Sequence, residues 1–245
     1  MLIDTHCHLF MDPLYSDAEG VLKRASDNDI AAIIVPAVET ASWKKVTGLS
    51  DHPIVYTALG LHPWYADEKL DAGTLEKLLR ETGSVAIGEI GLDFKIDNPN
   101  RTIQIALFRT QLSLAAELDL PVIIHCRGAF DDMLSILSEK EYAGKITGVI
   151  HAFTKGPQLA ERFLKLGFYL AFGGGVTRPR AKKARRSAAS VPLNKILLET
   201  DAPAIGMEGI EPELVEPPDI TKVCNSIAQI RGITPEEIAD ATTAN

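Results

Sequence analysis

The sequence has few cysteines and no long apolar run. Its three cysteines form no C-x-x-C motif, and an odd number does not suit a disulfide framework; they are Cys7, Cys126 and Cys224. No run reaches the roughly 18 apolar residues that a membrane-spanning helix needs, and no signal-peptide pattern opens the chain. These absences argue against a secreted disulfide-rich domain and against a membrane protein, so we expect a cytoplasmic protein.

Positive charge is also scarce. The 245 residues include 25 Lys and Arg against 33 Asp and Glu, which gives a formal net charge of −8. This balance argues against a broad basic face for nucleic acid, although it leaves room for a local basic patch. The G-x-G-x-x-G motif of dinucleotide-binding folds is absent as well.

Short β-type runs alternate with longer amphipathic runs along the whole chain. Several of the short runs, such as AAIIVPA, are apolar throughout, which is typical of strands buried on both faces of a parallel sheet. The expected strands are 2–6, 31–37, 54–60, 85–91, 121–126, 146–153, 168–174 and 195–201. The expected helices are 101–119, 129–141 and 157–167, with two more near the end of the chain and a long loop over 208–219.

Eight strand–helix units in about 250 residues predict an α/β protein with a (β/α)8 TIM barrel. An open doubly wound sheet is the alternative, but it rarely needs eight regular units. No linker, repeat or low-complexity segment divides the chain. We therefore expect residues 1–245 to form a single domain.

Polar residues follow the strands at the positions where a barrel of this kind carries its functional groups. Five of the six histidines stand at the C-terminal end of an expected strand. The polar residues at these ends are His6, His8, His62, Glu89, His125, His151 and Asp201. In a barrel all of these ends converge at one mouth.

Six of these side chains suit a metal site. Imidazole and carboxylate ligands without thiolate favour Zn, Mn, Fe or Mg, and six ligands are more than one tetrahedral ion needs. Two ions about 3.5–4 Å apart with a bridging carboxylate would use them all. The predicted ligands are His6, His8, Glu89, His125, His151 and Asp201. The alternative is that each is a paired core residue, but ionisable groups at apolar strand ends are costly when neither paired nor bound to metal.

Neighbouring residues allow two interpretations each. Asp4 and Glu199 either orient ligands or form buried structural contacts, and Arg127 either holds a phosphate or makes a surface salt bridge. Asp93 is expected to cap the loop after Glu89. Residues 173–175, all glycine, either cradle a phosphate or make a tight turn.

One basic run stands out in this acidic chain. Residues 178–186 hold six cations and follow the seventh expected strand directly. A local patch that receives a polyanion is one interpretation, in which Arg178, Lys182 and Arg185 meet phosphates; an ordinary solvated helix face is the other.

The chain resembles the TatD family of metal-dependent deoxyribonucleases, within the amidohydrolase-like barrels. The resemblance runs from Met1 to Asn245 and is greatest for the YjjV-like branch, which the stretch GGGVTRPRAKKAR indicates. The motifs that carry it, in the family's order, are IDTHCHL, GLHP, GEIGLD, PVIIHCR, VIHAF and LLETDAP.

The resemblance implies a pair of divalent metal ions, Mg, Mn or Zn. One ion would be held by His6, His8, Glu89 and Asp201. The second would be held by Glu89, His125 and His151. His62 and Arg127 would contact the substrate.

The predicted activity is hydrolysis of phosphodiester bonds at DNA ends by metal-activated water, with Asp201 as the general base and Glu89 shared by both ions. Hydrolysis of a small amide, lactone or phosphoester is the alternative, because one fold and metal set host many chemistries. A third possibility is a non-catalytic nucleic-acid adaptor that uses residues 178–186. The expected partner is DNA or a small phosphoester, with no membrane and no obligate protein partner.

The loop after the eighth strand departs from the family. Relatives usually carry an Asn-x-Pro-like element where this chain has Val215, Glu216 and Pro217. We expect Glu216 to lie near the mouth and to repel an incoming phosphate. The chain also lacks the apolar end that the last helix of relatives usually has.

Overall fold

A computed structural model describes all residues, 1–245, and contains one sheet of eight parallel strands in the order β1 to β8. The strands are β1 Leu2–Asp4, β2 Ile30–Pro36, β3 Val55–Leu59, β4 Ala86–Asp93, β5 Val122–Arg127, β6 Gly148–Ile150, β7 Tyr169–Phe172 and β8 Ile196–Leu198. The helices are α1 Ala18–Asp27, α2 Trp43–Gly48, α3 Ala72–Thr82, α4 Arg101–Leu118, α5 Phe130–Leu137, α6 Pro157–Lys165, α7 Lys182–Ser190, α8 Ile220–Arg231 and α9 Pro235–Ala244. The predicted (β/α)8 barrel is confirmed.

The barrel closes between its first and last strands. Thr5 donates its backbone N–H to Leu198 O (3.0 Å), and His8 N donates to Ala202 O (2.8 Å). Asp201 N in turn donates to His6 O (2.8 Å). This closure places the residues after β1 directly beside those after β8.

Apolar residues fill the barrel below the mouth. Ile123, Val149 and Ala171 belong to a small buried cluster inside it. Because side chains alternate along a strand, Ile123 and Val149 share their faces with His125 and His151, which lie two residues further on. Below His125 and His151, therefore, the wall of the site is apolar.

Helix ends follow their sequence signals. The Asp71 carboxylate accepts from Gly73 N (3.1 Å) at the start of α3. Thr234 and Glu237 form a capping box at the start of α9, where Thr234 Oγ1 accepts from Glu237 N at 3.2 Å.

Six of the eight strands end earlier than expected, most clearly β6, which ends at Ile150, whereas β4 and β5 run on to Asp93 and Arg127. The residues beyond are still backbone-bonded to neighbouring strands: His151 N donates to Ile124 O at 3.1 Å. Residues 208–219 form the expected long loop and contain two short 3-10 turns. No helix is both long and apolar enough to cross a membrane.

Candidate metal centre

All six side chains predicted to bind metal meet at the C-terminal end of the barrel. Together with His62, they fall into three overlapping groups of three residues whose ligand atoms lie within 4.8 Å of one another. The six are His6 and His8 after β1, Glu89 in β4, His125 in β5, His151 after β6 and Asp201 after β8. Parallel strand order alone brings them together, since every strand ends at the same rim.

One half of the site joins the first and last strands. His6 Nε2 and His8 Nε2 face each other at 3.2 Å. Glu89 Oε2 lies 3.3 Å from His6 Nε2 and 3.6 Å from His8 Nε2. Asp201 Oδ1 lies 3.8 and 3.4 Å from the same two nitrogens. Four ligand atoms therefore surround one point.

The other half of the site surrounds the second oxygen of Glu89. Oε1 lies 2.8 Å from His151 Nε2 and 3.0 Å from His125 Nδ1. His62 Nε2 is 3.3 Å from the same oxygen. Glu89 is only 2% exposed and stands between the two halves, with one carboxylate oxygen in each.

The hydrogen bonds of His8 and His125 on the side that faces away from the centre are those expected at a metal site. His8 Nδ1 lies 3.3 Å from Pro36 O, which can only accept, so Nδ1 carries the proton and Nε2 turns a lone pair to the centre. His125 Nε2 lies 3.2 Å from Asp93 Oδ2, which leaves Nδ1 free to coordinate. Asp201 Oδ1 is buried without a hydrogen-bond partner. Divalent cations would satisfy these inward-facing atoms.

The pKa values keep the two central carboxylates ionised. Burial raises the pKa of Glu89, but neighbouring imidazoles, led by His151 and His62, outweigh burial and hold it well below the ordinary value. Burial likewise raises the pKa of Asp201, and His8 and His6 bring it below the usual range. Ionised carboxylates are the form that binds a cation or accepts a proton.

Burial lowers the pKa of both His62 and His151, but the net pKa shift differs between the two rings. Burial lowers the pKa of His62 to about 4, so this ring is neutral at pH 7. Burial also disfavours charge on His151, but the adjacent carboxylates, Glu89 above all, raise its pKa to about 10. The 2.8 Å contact between Glu89 and His151 is therefore a charge pair.

Backbone strain marks the same place. Asp201 has φ 54° and Ala152 has φ 46°, both in the left-handed region that non-glycine residues rarely adopt. Glu199 Oε1 accepts from Ala152 N at 2.6 Å, and Asp4 accepts from Thr200 N at 2.9 Å. Asp4 and Glu199 thus hold the backbone beside His151 and Asp201, and neither carboxylate forms a hydrogen bond with an imidazole ring.

Asp93 does more than cap a loop. Its side chain is fully buried, and Oδ2 accepts from Trp64 Nε1 (2.8 Å) and lies beside His125 Nε2. Arg127 Nη1 is 3.7 Å away, because Asp93 pairs with Arg127 in the β4–β5 register. The sequence carried a signal for this position, since residues 89 and 93 share one face of a strand.

A cavity of about 580 Å³ opens above the ligands. Its wall includes Trp64 and Arg127, whose side chain is 59% exposed, so Arg127 is available to a bound anion. Lys155 also lines it, with Nζ 5.0 Å from the ring centre of Phe130. Trp64 and Lys155 carry no signal in the sequence, because they lie in a short 3-10 turn and in a loop that have no periodic pattern.

The structure constrains His62 through its neighbours. His62 Nδ1 accepts from Trp64 N (3.2 Å), so the neutral ring carries its proton on Nε2, which faces Glu89. His62 therefore orients the shared carboxylate as well as lining the cavity. Its contact with substrate stays a prediction.

Glu216 is not at the mouth, and the expectation that it repels a phosphate there is wrong. Arg24 of α1 binds it through two hydrogen bonds, Nε to Oε2 at 2.7 Å and Nη2 to Oε1 at 2.8 Å. Val215 is fully buried and anchors the loop in the core. The ion pair neutralises Glu216 and turns its carboxylate toward α1.

Two arginines of the basic run form hydrogen bonds with backbone carbonyls of the protein itself. Arg178 Nη2 donates to Gly206 O at 2.8 Å, and Arg185 Nη1 donates to Val176 O at 2.9 Å. Each guanidinium keeps other N–H donors, so the contact of these two residues with phosphates stays a prediction. The glycines at 173–175 follow β7 in a 3-10 turn, and a Cβ on Gly174 would lie 2.6 Å from Gly206 O.

Two cysteines differ in environment. Cys7 is fully buried in the core. Cys126 is only partly buried and lines the cavity. Burial raises the pKa of the Cys126 thiol to about 12, so Cys126 is a neutral thiol at pH 7.

Comparison with known proteins agrees with this geometry. The chain is 39% identical over 249 residues to the uncharacterized metal-dependent hydrolase YjjV of Escherichia coli K12, covering 99% of this chain and 95% of that one. It is 36% identical to the uncharacterized metal-dependent hydrolase YabD of Bacillus subtilis 168, with 100% and 97% covered. The crystal structure of YjjV, described as a TatD homolog, superposes with a TM-score of 0.93 at 37% identity over 99% of this chain and 95% of that one.

The family profile described as TatD related DNase matches residues 3–245, nearly the whole chain. This range includes every strand end that carries a candidate ligand. The chain therefore belongs to the family of TatD-related DNases.

Proposed function

We propose that residues 1–245 act as one metal-dependent hydrolase that cleaves phosphodiester bonds at DNA ends. The observation that carries the proposal is the position of Glu89, whose two carboxylate oxygens face two separate sets of ligand atoms. A cavity opens above them, and the positively charged side chain of Arg127 forms part of its wall. A bridging carboxylate of this kind is typical of two-metal hydrolysis of phosphate esters. The family description, TatD related DNase, supports DNA as the substrate.

The two halves of the site would divide the ligands between two ions. His6, His8, Glu89 and Asp201 would hold one divalent cation, and Glu89, His125 and His151 the other. When bound, such a pair supplies Lewis acidity that acidifies water and offsets phosphoryl charge.

The protein's own groups would handle the proton and the phosphate. Asp201 is ionised and lies beside the point that the first set of ligand atoms surrounds, so it accepts the proton of the attacking water as general base. Arg127 reaches into the cavity with most of its side chain in solvent and offsets charge that builds on the phosphoryl oxygens. His62 holds Glu89 in the bridging orientation and lines the phosphate position.

Metal analysis and a nuclease assay test this proposal together. The purified protein is expected to contain one or two Mg, Mn or Zn ions, and to shorten single-stranded DNA when Mg or Mn is added. The Asp201→Asn variant should keep much of the metal, because the amide still offers an oxygen, and lose roughly 10²–10⁴-fold in turnover. Turnover within a few-fold of the wild type would contradict the role of Asp201.

The substrate alternatives give different results in the same assay. Turnover of a small phosphoester, amide or lactone without any cleavage of DNA would favour the small-molecule hydrolase. DNA binding that survives chelation, with no hydrolysis of any substrate, would favour the adaptor. Either result would overturn the proposed deoxyribonuclease.

A further inference from the structure

Four cations of the basic run have no use in the proposed chemistry. Arg180, Lys182, Lys183 and Arg186 are all exposed, and no carboxylate oxygen lies within the 4.0 Å that defines an ion pair. They stand in an acidic chain, within a nine-residue stretch, 178–186, that contains no Asp or Glu. We name these four residues the α7 patch.

The α7 patch lies at the rim of the active-site end of the barrel. Helix α7 follows β7, and in a (β/α)8 barrel each helix begins at the end of the barrel where its strand finishes. Ser187 Oγ of α7 donates to Lys155 O at 2.7 Å. Since Lys155 lines the cavity, this hydrogen bond ties the helix to the cavity wall.

Cations therefore continue from the cavity to the outer surface. Arg127 and Lys155 line the cavity wall, and the α7 patch lies outside it, on and just before the helix that Lys155 contacts. Lys182 and Arg186 are four residues apart, which places them on one helix face about 6 Å apart along the axis. A row of separated cations suits a chain of phosphates better than one compact anion.

We propose that the α7 patch binds the backbone phosphates of a single strand of nucleic acid whose end occupies the cavity. This inference rests on the proposed function, and it adds a binding surface outside the catalytic site. On an acidic protein such a local patch offsets the repulsion that the rest of the surface exerts on a polyanion. It predicts preference for long strands over short ones.

The surroundings favour a nucleic-acid strand over a lipid surface. The exposed residues that share α7 with the patch, Ala189 and Ser190, offer no large apolar side chain to enter a bilayer. Glu208 borders the region, because its N–H donates to Thr177 Oγ1 at 2.8 Å. An acidic neighbour on that side directs a strand along α7 and away from the loop after β8.

The test compares two variants that lose the same charge. In the first, all four residues of the α7 patch are replaced by Gln. In the control, four exposed cations of α2 and α3, on the opposite side of the barrel, are replaced by Gln; these are Lys44, Lys45, Lys77 and Arg80. The probe is a phosphorothioate-linked thymidine strand about 20 nucleotides long, which resists cleavage, and its affinity is measured at several salt concentrations.

Each phosphate contact to a single strand contributes roughly 0.7 to the slope of log affinity against log salt, so the patch variant should flatten this slope by about 2–3. The control variant should keep the wild-type slope. Equal slopes for wild type and patch variant, or equal flattening in both variants, would overturn the proposal. So would a patch variant that loses binding to vesicles with anionic headgroups and keeps its DNA slope.

A second readout separates this inference from the proposed function. Hydrolysis of a dinucleotide, which is too short to reach α7, should stay within about twofold of wild type in the patch variant, because none of its residues touches the cavity. A wild type that hydrolyses no nucleic acid at all would refute the proposed function, while the salt slopes would still decide whether the patch binds a strand.

Discussion

At the scale of single residues, the site depends on which nitrogen of each histidine carries a proton. Pro36 O settles this choice for His8 and Asp93 settles it for His125, whereas Nδ1 of His6 and Nδ1 of His151 have no hydrogen-bond partner. Asp93 has the further effect of holding Trp64 at the cavity wall. A single buried carboxylate thus connects a candidate ligand with the wall of the cavity.

Replacement of Asp93 tests this connection. Asp93→Asn should lower the affinity for Mn²⁺ by about 10–100-fold, because the amide holds the Nε2–H tautomer of His125 less firmly than a carboxylate does. Titration calorimetry measures the affinity, and ¹⁵N NMR of the imidazole reports the tautomer of His125. Asp97→Asn is the matched control, since Asp97 is exposed on the loop that follows. Unchanged affinity together with an unchanged tautomer would show that Asp93 is only structural.

The residues that sequence analysis identified and those it missed differ in a physical way. His125 and Asp201 stand at the ends of apolar strands, where a polar residue is conspicuous and barrel geometry fixes its destination. Lys155 and Trp64 lie in loops, whose paths depend on contacts such as the one between Trp64 Nε1 and Asp93. The partners of Arg178 and Glu216 are backbone or side-chain groups distant in sequence, which no local pattern reveals.

At the scale of secondary structure elements, the pairing of β4 with β5 sets the geometry of the second half of the site. Gly91 pairs with His125 and has φ +145°. A Cβ at Gly91 would lie 2.0 Å from His125 O, so only glycine lets the two strands approach this closely. The second glycine of the GEIGLD motif is thus explained by packing and not by contact with substrate.

Gly91→Ala should therefore separate β4 from β5. We expect a loss of at least about 2 kcal/mol in the free energy of unfolding, from overpacking and an unfavourable φ together. Urea denaturation measures this loss, and metal analysis should also show reduced occupancy. Gly48→Ala is the control, because nothing lies within 4 Å of a Cβ at that helical position. Equal stability of the two variants would contradict the close approach.

In the loop after β8 we expect a substitution to have little effect. Glu216→Gln should change the Michaelis constant for a phosphodiester by less than about twofold, because Arg24 already neutralises this carboxylate away from the cavity. The lost ion pair is partly exposed, so it should cost less than about 1 kcal/mol of stability. Arg24→Gln should give a similar small loss. If the Michaelis constant falls severalfold in Glu216→Gln, Glu216 acts on the substrate at the mouth after all, and this prediction is contradicted.

At the scale of the whole molecule, the candidate metal centre joins strands from different parts of the barrel. The candidate ligands come from both ends of the strand order, since His6 follows β1 and Asp201 follows β8, while Glu89 lies in the middle on β4. Hydrogen bonds from Thr5 to Leu198 and from Asp201 to His6 complete the closure. Metal binding and barrel closure are thus expected to stabilise each other.

Removal of metal should then destabilise the entire fold. A ligand at about 1,000 times its dissociation constant adds about 4 kcal/mol, which for a chain of this size corresponds to a shift in Tm on the order of 10 °C. Calorimetry with and without a chelator measures the shift. Glu89→Gln weakens both halves of the site, so its Tm should respond little to the chelator. Equal chelator responses in wild type and Glu89→Gln would mean that the stabilising metal binds elsewhere, because Glu89 is the one carboxylate that both halves share.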